Sequence, residues 1–405
     1  MRSRTPGASP SSGTSPRRAH IAMIGNPVIS HTLPGIEIIR ELVARGHRVT
    51  YANDPFLRDV VTATGAELRP YRSTLPPVTG SAWPEEPVAG MTTFLDDAIE
   101  MLPQLHELYD DDPADLYLYD IGGYAGRALA ESQGRPTLQL SPTYVGWRSE
   151  ADDIGAQIRA LPGADAYFAK FAAWLAGNGA TTLDPGDFSG RPVRAVAMIP
   201  RAMQPHADAV DHDAVTFVGP CFGDRSDQGT WTRPAGAGNV LLISLGSAYT
   251  RLPDFYRRCL AAFGDLPDWH VVLQIGKDTD PAELGTVPSN VEVHSWVPQL
   301  AILEQADAFV THAGMGGSSE GLHAGVPMIA VPQSADQFGN ADQLVSLGVA
   351  RRIDTADATP EALRTALLEL TSDPEVARRS AALRTELRAE GGTARAADVA
   401  ESLLP

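Results

Sequence analysis

The chain has 405 residues, which is long enough for two domains of ordinary size, each with its own hydrophobic core. Its 32 basic and 50 acidic residues give a formal net charge of −18, which disfavours nonspecific binding to nucleic acid or to an anionic membrane surface. The two cysteines, Cys221 and Cys259, fit no metal-binding spacing and no disulfide framework, and no apolar run reaches the ~18 residues that span a bilayer, so we expect a cytoplasmic protein.

The N-terminal half alternates between strand-like and helix-like segments. Residues 1–18 are rich in Ser, Pro, Gly and Arg and contain no apolar centre, so we expect a disordered leader and not a secretory signal. Residues 19–24 and 47–51 are predicted to be buried strands, with a helix over about residues 35–45 between them. Further predicted elements are strands at residues 67–71, 115–119 and 137–140 and an amphipathic helix at residues 91–109. This alternation predicts a parallel sheet covered by helices on both faces.

The C-terminal half repeats the pattern. Gly, Pro, Asp and Ser crowd between residues 216 and 238, which indicates a linker between two domains. Beyond it, strands are predicted at residues 240–245, 270–275 and 291–294, and several helices follow toward the C-terminus. The predicted fold class is therefore α/β, with two Rossmann-like domains.

Residues 290–340 carry the chemistry of a site for a nucleotide with an anionic diphosphate. A predicted strand at residues 308–310 leads into Thr-His-Ala-Gly-Met-Gly-Gly-Ser-Ser-Glu, which opens a helix. The free N–H groups and the dipole of a helix N-terminus favour negative charge, and glycine allows a close approach to the backbone. The residues predicted to bind the diphosphate here are His312, Gly314, Gly316 and Gly317.

Neighbouring side chains suit the remaining parts of such a ligand. Glu320 can accept hydrogen bonds from ribose hydroxyls, and Trp296 offers a flat face to a base. Asp336 and Gln337 provide acceptors and donors for a sugar. Each residue also has an ordinary alternative role, such as a core tryptophan or a helix cap. Their occurrence in this order around two strand-to-helix joints favours the nucleotide site.

Two further patterns concern phosphate and metal. The Ser-Leu-Gly-Ser run after the predicted strand at residues 240–245 suits a phosphate, through Ser244, Gly246 and Ser247. Two Asp-x-Asp pairs, a motif whose carboxylates can hold a divalent ion, occur at residues 211–213 and 278–280. Both pairs are remote in sequence from the predicted diphosphate residues, so we predict no metal site.

Residues 290–340 resemble the sugar-nucleotide signature of the inverting UDP-glycosyltransferases that act on small hydrophobic acceptors. The resemblance covers nearly the whole chain and is strongest to the bacterial macrolide glucosyltransferases of the oleandomycin type, to which residues 41–50, 203–208 and 336–342 are similar. It implies the GT-B fold, in which two Rossmann-like domains face each other across a cleft. It also places Val297, Gln299 and Ser318 among the donor-binding residues.

The resemblance also implies a division of roles along the chain. Residues 19–215 would form the acceptor-binding domain, residues 216–238 the linker and residues 239–385 the nucleotide-sugar domain. A C-terminal helix within residues 386–405 would cross back to the first domain. The implied partners are a UDP-sugar co-substrate and a small hydrophobic acceptor, with no obligatory cofactor, no nucleic acid and no membrane. The protein would be a monomer or a homodimer.

His31 and Asp120 are the candidate catalytic residues. His31 lies in the predicted loop after the first strand, and ligands of doubly wound sheets bind at the carboxyl ends of the strands. An imidazole with a pKa near 6.5 can accept a proton from an alcohol at neutral pH. Asp120 ends the predicted strand at residues 115–119, where its carboxylate can orient that imidazole or cap the next helix. The resemblance aligns His31 with the general base of the family and favours the pair.

The sequence around His31 departs from the family pattern. The macrolide group usually carries His-Gly-His-Val-Asn-Pro, whereas residues 29–34 here read Ile-Ser-His-Thr-Leu-Pro. Ile29 and Ser30 replace the first His and the Gly, which affects the shape of the loop and the acceptor geometry but keeps the base. The run is also no Gly-x-Gly-x-x-Gly fingerprint, which argues against a nicotinamide enzyme.

An acceptor site is predicted in the loops of the first domain. Aromatic and apolar side chains suit a concave apolar pocket, although each of them can equally be part of an ordinary core. The candidates are Trp83, Phe94, Ile121, Tyr124, Tyr144 and Trp147.

By resemblance, the function is the inverting transfer of a hexose from UDP-glucose to a hydroxyl of a macrolide or similar hydrophobic natural product. The outcome would be antibiotic inactivation, self-resistance or tailoring. One alternative keeps the chemistry but uses a nucleotide-activated deoxysugar in a biosynthetic pathway. Another, from a different class, is a non-catalytic nucleotide-binding auxiliary protein, which the altered loop around His31 suggests.

Overall fold

The computed structural model describes residues 18–147, 155–223, 225, 228–246, 250–334 and 336–405, and its strands form two sheets. The strands of the first sheet are β1 (His20–Ile24), β2 (Arg48–Asn53), β3 (Glu67–Pro70), β4 (Leu116–Asp120), β5 (Thr137–Ser141), β6 (Ala195–Ala197) and β7 (Val215–Phe217). Those of the second sheet are β8 (Asn239–Ser244), β9 (Trp269–Gln274), β10 (Val291–His294), β11 (Ala308–Thr311), β12 (Met328–Ala330) and β13 (Ala350–Arg352).

Helices cover both sheets. In the N-terminal half they are α1 (Ile29–Ala44), α2 (Arg58–Thr62), α3 (Pro76–Thr79), α4 (Pro87–Tyr109), α5 (Tyr124–Ser132), α6 (Ala156–Arg159), α7 (Ala164–Gly177) and α8 (Pro185–Gly190). In the C-terminal half they are α9 (Pro253–Phe263), α10 (Gln299–Leu303), α11 (Met315–Ala324), α12 (Gln337–Ser346), α13 (Pro360–Ser372), α14 (Pro374–Ala389) and α15 (Gly392–Glu401).

The two sheets confirm the predicted fold class of two Rossmann-like α/β domains. The strand pairs of the described residues run parallel, in the orders β3-β2-β1-β4-β5-β6-β7 and β10-β9-β8-β11-β12-β13. Strands β1, β4 and β5 are buried along their whole length. Their apolar runs need cover on both faces, and the helices that connect parallel strands supply it.

The strand order places one crevice on each sheet. In the first sheet the order reverses between β1 and β4, and in the second between β8 and β11. At such a switch point the connections leave toward opposite faces, so a crevice opens at the carboxyl ends of the two strands. The segment after β1 therefore meets the end of β4, and the segment after β8 meets the end of β11. These four segments carry the residues predicted for catalysis and for diphosphate binding.

The structure differs from the sequence prediction in one helix start and in several short strands. Helix α1 begins at Ile29, so His31 lies in its first turn, and the prediction of a loop there is wrong. Pro34 lacks an N–H donor, and the helix accommodates it near its N-terminal end. Strands β6, β7 and β13 have three residues each, which is too short for a periodic signal, and β7 extends the first sheet into the stretch predicted as linker.

A shared hydrophobic cluster joins the two halves of the chain. It contains Ala197 and Phe217 from the first sheet together with Leu322 from α11, Met328 from β12 and Leu387 from α14. Because apolar side chains of both halves are buried against each other, the two domains are held together by packing as well as by the linker.

The C-terminal helix packs against the first domain. Three alanines of α15 are buried in the same cluster as Ile38 and Ile39 of α1. Arg45, at the end of α1, donates to Asp398 Oδ1 and Glu401 Oε2, each at 2.7 Å, and to the carbonyl of Ala394 at 3.1 Å. The chain reaches this position through Gly391 and Gly392, whose φ angles of 95° and 55° suit glycine.

We expect Arg45→Ala to lower the Tm by about 3 °C, because it removes charge-assisted hydrogen bonds from a largely covered side chain. Arg191→Ala is the matched control, since Arg191 is exposed and pairs only with Asp187 one turn away. Its Tm should change by less than ~1 °C. Thermal unfolding followed by tryptophan fluorescence measures both, and equal shifts would contradict a special role of the α1–α15 contact.

Candidate active site

His31 and Asp120 form a hydrogen-bonded pair at the switch point of the first sheet. The His31 Nδ1 atom lies 3.0 Å from both Oδ1 and Oδ2 of Asp120. Asp120 ends β4 and is buried, whereas the His31 side chain is 26% exposed. An ionised carboxylate only accepts hydrogen bonds, so Nδ1 carries the proton and Nε2 keeps a free lone pair. This tautomer is the one that a general base needs.

The electrostatic surroundings favour a protonated His31. The negative charge of Asp120 and its hydrogen bond raise the pKa of His31 above 6.5, and Asp336 from the other domain adds to the rise, whereas burial opposes it. The imidazolium that forms when His31 accepts a proton is therefore stabilised.

Asp120 contacts the backbone after β4 as well as the imidazole, but it does not cap α5, whose N-cap residue is Gly123 and has no side-chain cap. The Oδ1 atom of Asp120 accepts a hydrogen bond from the backbone N–H of Gly122 at 2.8 Å, which holds the turn before α5. A Cβ on Gly122 would lie 2.9 Å from Asn26 Nδ2, so this turn passes too close to its neighbours for a larger residue. The hydrogen bond from Gly122 thus fixes the Asp120 carboxylate in the position in which it contacts the imidazole of His31.

The residues that depart from the family pattern lie beside this pair. Ile29 and Leu33 are 41% and 47% exposed, and they are one helical turn apart on α1. Apolar side chains of this exposure at the carboxyl edge of the sheet add an apolar surface next to His31. Leu33 is not among the acceptor residues predicted from the sequence, because a single leucine carries no local signal of exposure.

Helix α11 and two glycines form a cradle at the switch point of the second sheet. The helix begins after Gly314, and its first turn contains Gly316 and Gly317. A Cβ on Gly246 would lie 2.8 Å from His312 Cε1, and a Cβ on Gly314 would overlap the same ring. Only glycine fits at these two positions, and the free N–H groups of the helix remain accessible to an anion.

His312 is neutral in this cradle. Burial lowers its pKa to about 4, so at neutral pH the ring offers a single N–H donor. Among the described residues, the buried atoms His312 Nδ1 and Ser318 Oγ have no hydrogen-bond partner. Buried polar atoms are normally paired, so a ligand with acceptor oxygens is favoured here. Ser244 is buried beneath the cradle, and Ser247 lies outside the described residues.

The residues predicted for the base and the ribose flank this cradle. Trp296 is 55% exposed and presents its ring beyond the end of β10. Glu320 is buried in α11 and accepts a hydrogen bond from Gln299 Nε2 at 2.6 Å. It also pairs with Arg225, which the sequence analysis did not single out. The carboxylate is held in place, and its remaining lone pairs can accept from ribose hydroxyls.

Gln274 is a second residue that the sequence analysis missed. Its Nε2 donates to the carbonyl of Gly246 at 3.0 Å, and its Oε1 accepts from the N–H of Val297 at 3.2 Å. The buried amide of Gln274, at the end of β9, thus links the loop after β8, which contains Gly246, to the segment after β10, which contains Val297. No local motif marks this residue, because its role depends on two segments that meet only in the folded chain.

Asp336 and Gln337 lie at the start of α12. The Oε1 atom of Gln337 accepts from the N–H groups of Gln333 and Ser334, at 2.9 and 3.2 Å, which leaves its amide N–H groups for a ligand. Asp336 accepts from Asn340 Nδ2 at 2.8 Å through Oδ2. Each predicted sugar-binding side chain therefore has one atom fixed by the protein and others available.

The predicted acceptor residues lie in four different places. Trp83 stacks on Phe94 with ring centroids 5.4 Å apart, and Phe94 reaches Gly122 beside the catalytic pair. Ile121 directly follows Asp120 and is half-buried. Tyr124 packs at 5.1 Å against Phe171 in the core of the first domain. Tyr144 and Trp147 lie against the cluster that joins the two domains.

The Asp-x-Asp pairs have local structural roles. Asp280 caps a short 3₁₀ helix, and Asp211 Oδ1 accepts from the N–H of Asp213 at 3.1 Å. Within the part of the chain that the structure describes, no group of three or more His, Cys, Asp or Glu side chains is arranged to hold a metal ion. The described helices include none that is both long and apolar enough to cross a membrane.

Comparison with known proteins places this site in a family. Residues 257–403 match the C-terminal domain of the erythromycin biosynthesis protein CIII-like family. Oleandomycin glycosyltransferase from Streptomyces antibioticus is 53% identical over 393 residues, which cover 96% of this chain and 91% of that protein. NDP-glycosyltransferase YjiC from Bacillus subtilis (strain 168) is 30% identical over 392 residues, which cover 96% and 98% of the two chains.

The similarity extends to three dimensions. The crystal structure of the glycotransferase of kitacinnamycin is 52% identical, has a TM-score of 0.89 and covers 96% of this chain and 100% of its own. Both domains are included in these matches, together with the segments that carry the two switch points. The chain therefore belongs to the UDP-glycosyltransferase family of GT-B glycosyltransferases.

Proposed function

We propose that this glycosyltransferase transfers a hexose from UDP-glucose to a hydroxyl group of a macrolide or similar hydrophobic natural product, with inversion at the anomeric carbon. The observations that carry the proposal are the hydrogen-bonded His31–Asp120 pair and the glycine-lined cradle at the N-terminus of α11. The contribution of Asp336, in the second domain, to the raised pKa of His31 supports a site in which the base for the acceptor and the binding place of the leaving diphosphate share one cleft.

The proposed reaction begins with proton transfer. His31 Nε2 takes the proton of the acceptor hydroxyl while Asp120 stabilises the resulting imidazolium. The acceptor oxygen attacks the anomeric carbon on the face opposite the diphosphate, a new C–O bond forms, and the bond to the diphosphate breaks. UDP leaves with the electron pair of that bond, and the helix N–H groups near Gly316 and His312 stabilise its charge.

The donor assignment rests on side chains at both ends of the cradle. The exposed ring of Trp296 suits the base, Glu320 suits the ribose, and the free atoms of Asp336 and Gln337 suit the hydroxyls of glucose. The relatives include an NDP-glycosyltransferase and an oleandomycin glycosyltransferase, which agrees with a nucleotide sugar and a macrolide. Antibiotic inactivation, self-resistance or tailoring would be the outcome.

The acceptor assignment rests on the apolar surface around His31. Ile29 and Leu33 on α1 and the stacked rings of Trp83 and Phe94 expose apolar area at the carboxyl edge of the first sheet. A hydrophobic natural product that carries a hydroxyl group matches this surface. The intact catalytic pair favours an active enzyme over a non-catalytic auxiliary protein, although two residues beside His31 depart from the family pattern.

Incubation with UDP-glucose and a panel of macrolides and phenols tests the proposed substrates. We expect mass spectrometry to detect the gain of one hexose on a macrolide. Parallel reactions with a nucleotide-activated deoxysugar test the alternative donor. Transfer of the deoxysugar alone would overturn the assignment of UDP-glucose, and transfer to phenols alone would overturn the assignment of the acceptor.

We expect His31→Ala to lower kcat by about 100-fold or more, because the general base is lost, and to leave the Kd of UDP unchanged. His106→Ala serves as the control, since His106 is partly exposed near the end of α4 and, among the described residues, its side chain pairs only with Asp110. Steady-state kinetics and calorimetric titration with UDP measure the two quantities. A normal rate in the His31 variant would exclude His31 from the mechanism.

The pH profile should follow the protonation of His31. Only the neutral imidazole acts as a base, and its pKa is raised, so kcat/KM should increase with pH through an apparent pKa above 6.5. Asp120→Asn removes the charge that contributes most to the rise, so its profile should shift to lower pH and its plateau should fall. Profiles that coincide for the two proteins would show that Asp120 does not control this titration.

A further inference from the structure

One hydrogen-bonded relay crosses the cleft from the first domain to the donor site. The Tyr144 hydroxyl donates to Asn340 Oδ1 at 2.7 Å, and Asn340 Nδ2 donates to Asp336 Oδ2 at 2.8 Å. Asn340 is fully buried, whereas Asp336 is exposed at the N-terminal end of α12. A phenol of the first domain is thereby connected through a single amide to a carboxylate of the second.

The direction of the relay follows from the chemistry of its ends. The Asp336 carboxylate can only accept, so the NH₂ group of Asn340 must face it and the amide oxygen must face Tyr144. The Tyr144 hydroxyl must then donate. Burial raises the pKa of Tyr144 to about 12, with further contributions from Asp336 and Asp342, so the phenol keeps its proton at neutral pH.

The loop that carries Tyr144 is held by the segment around Gln204, which has no role in the proposed reaction. The backbone N–H of Val145 donates to Gln204 Oε1, and Gln204 Nε2 donates to the carbonyl of Val145, both at 3.0 Å. Two residues further along each segment, Trp147 lies 5.3 Å from His206, ring to ring. Residues 203–208, one of the stretches that resembles the macrolide group, thus support the loop that carries Tyr144.

The same helix has a second contact with the first domain that serves as a comparison. Gln343 Nε2, on α12, donates to the carbonyl of Ala202 at 2.7 Å. This bond tethers α12 to the first domain as the Tyr144 bond does, but Gln343 has no hydrogen bond to Asp336 among the described residues. A comparison of the two contacts therefore distinguishes two effects: tethering of α12 to the first domain, and orientation of the Asp336 carboxylate.

We propose that Tyr144 is a positioning residue that acts through Asn340 to hold Asp336 in the orientation that binds the hexose of the donor. Oδ2 of Asp336 is fixed by the relay, and Oδ1 is directed to a sugar hydroxyl. Recognition of the sugar by the second domain then depends on a side chain of the acceptor-binding loop. This inference rests on the proposed function, because it assumes that Asp336 binds the sugar of a UDP-hexose.

The test compares the affinities for UDP-glucose and UDP in Tyr144→Phe. We expect the Kd of UDP-glucose to rise about five- to tenfold, the loss typical of one hydrogen bond, and the Kd of UDP to stay within about twofold, because UDP has no hexose. Calorimetric titration gives both constants. Gln343→Ala is the matched control and should leave the ratio of the two constants unchanged. A second control, Tyr109→Phe, removes a buried tyrosine hydroxyl elsewhere in the first domain.

A double variant tests whether Tyr144 acts through Asp336. In an Asp336→Asn background the additional Tyr144→Phe change should no longer alter the Kd of UDP-glucose. An unchanged ratio in Tyr144→Phe, or an equal ratio in Gln343→Ala, would overturn the proposal, as would a rise in the acceptor KM alone. If Asp336→Asn alone leaves the Kd of UDP-glucose unchanged, the assumed hexose contact is wrong and the inference falls with it.

Discussion

The hydrogen bond between Asp120 and the Nδ1 atom of His31 is the interaction on which the site depends. It selects the tautomer that leaves Nε2 free, and its charge stabilises the imidazolium that forms during proton transfer. The two residues are 89 positions apart and meet because β1 and β4 are adjacent at the switch point of the first sheet. The fold therefore brings together the imidazole and the carboxylate that the proposed mechanism requires.

The second domain carries the proposed diphosphate site, which is formed mainly by neutral groups and not by charged side chains. Burial keeps His312 neutral, Gly246 and Gly314 leave room for its ring, and the N-terminus of α11 provides a partial positive charge. Neutral dipoles that are fixed in position stabilise a leaving diphosphate without reorganisation. Of the two Asp-x-Asp pairs, Asp280 caps a short 3₁₀ helix and Asp211 accepts a hydrogen bond within a turn.

The two domains are connected in ways that involve the site itself. A common hydrophobic cluster, the α1–α15 contact and the hydrogen bonds from α12 hold the lobes together. The Asp336 carboxylate contributes to the raised pKa of His31 in the first domain and accepts a hydrogen bond from Asn340 in its own domain.

The sequence by itself determined the α/β class, the two repeating halves and the glycine-rich strand-to-helix joint around residues 312–317, because apolar periodicity and glycine placement are local signals. It also identified His31 and Asp120, with the help of the family resemblance. It could not determine the first turn of α1, the three-residue strands β6, β7 and β13, or the roles of Gln274, Arg225 and Asn340. Those features depend on hydrogen bonds and packing between segments far apart in the chain, which only the tertiary structure decides.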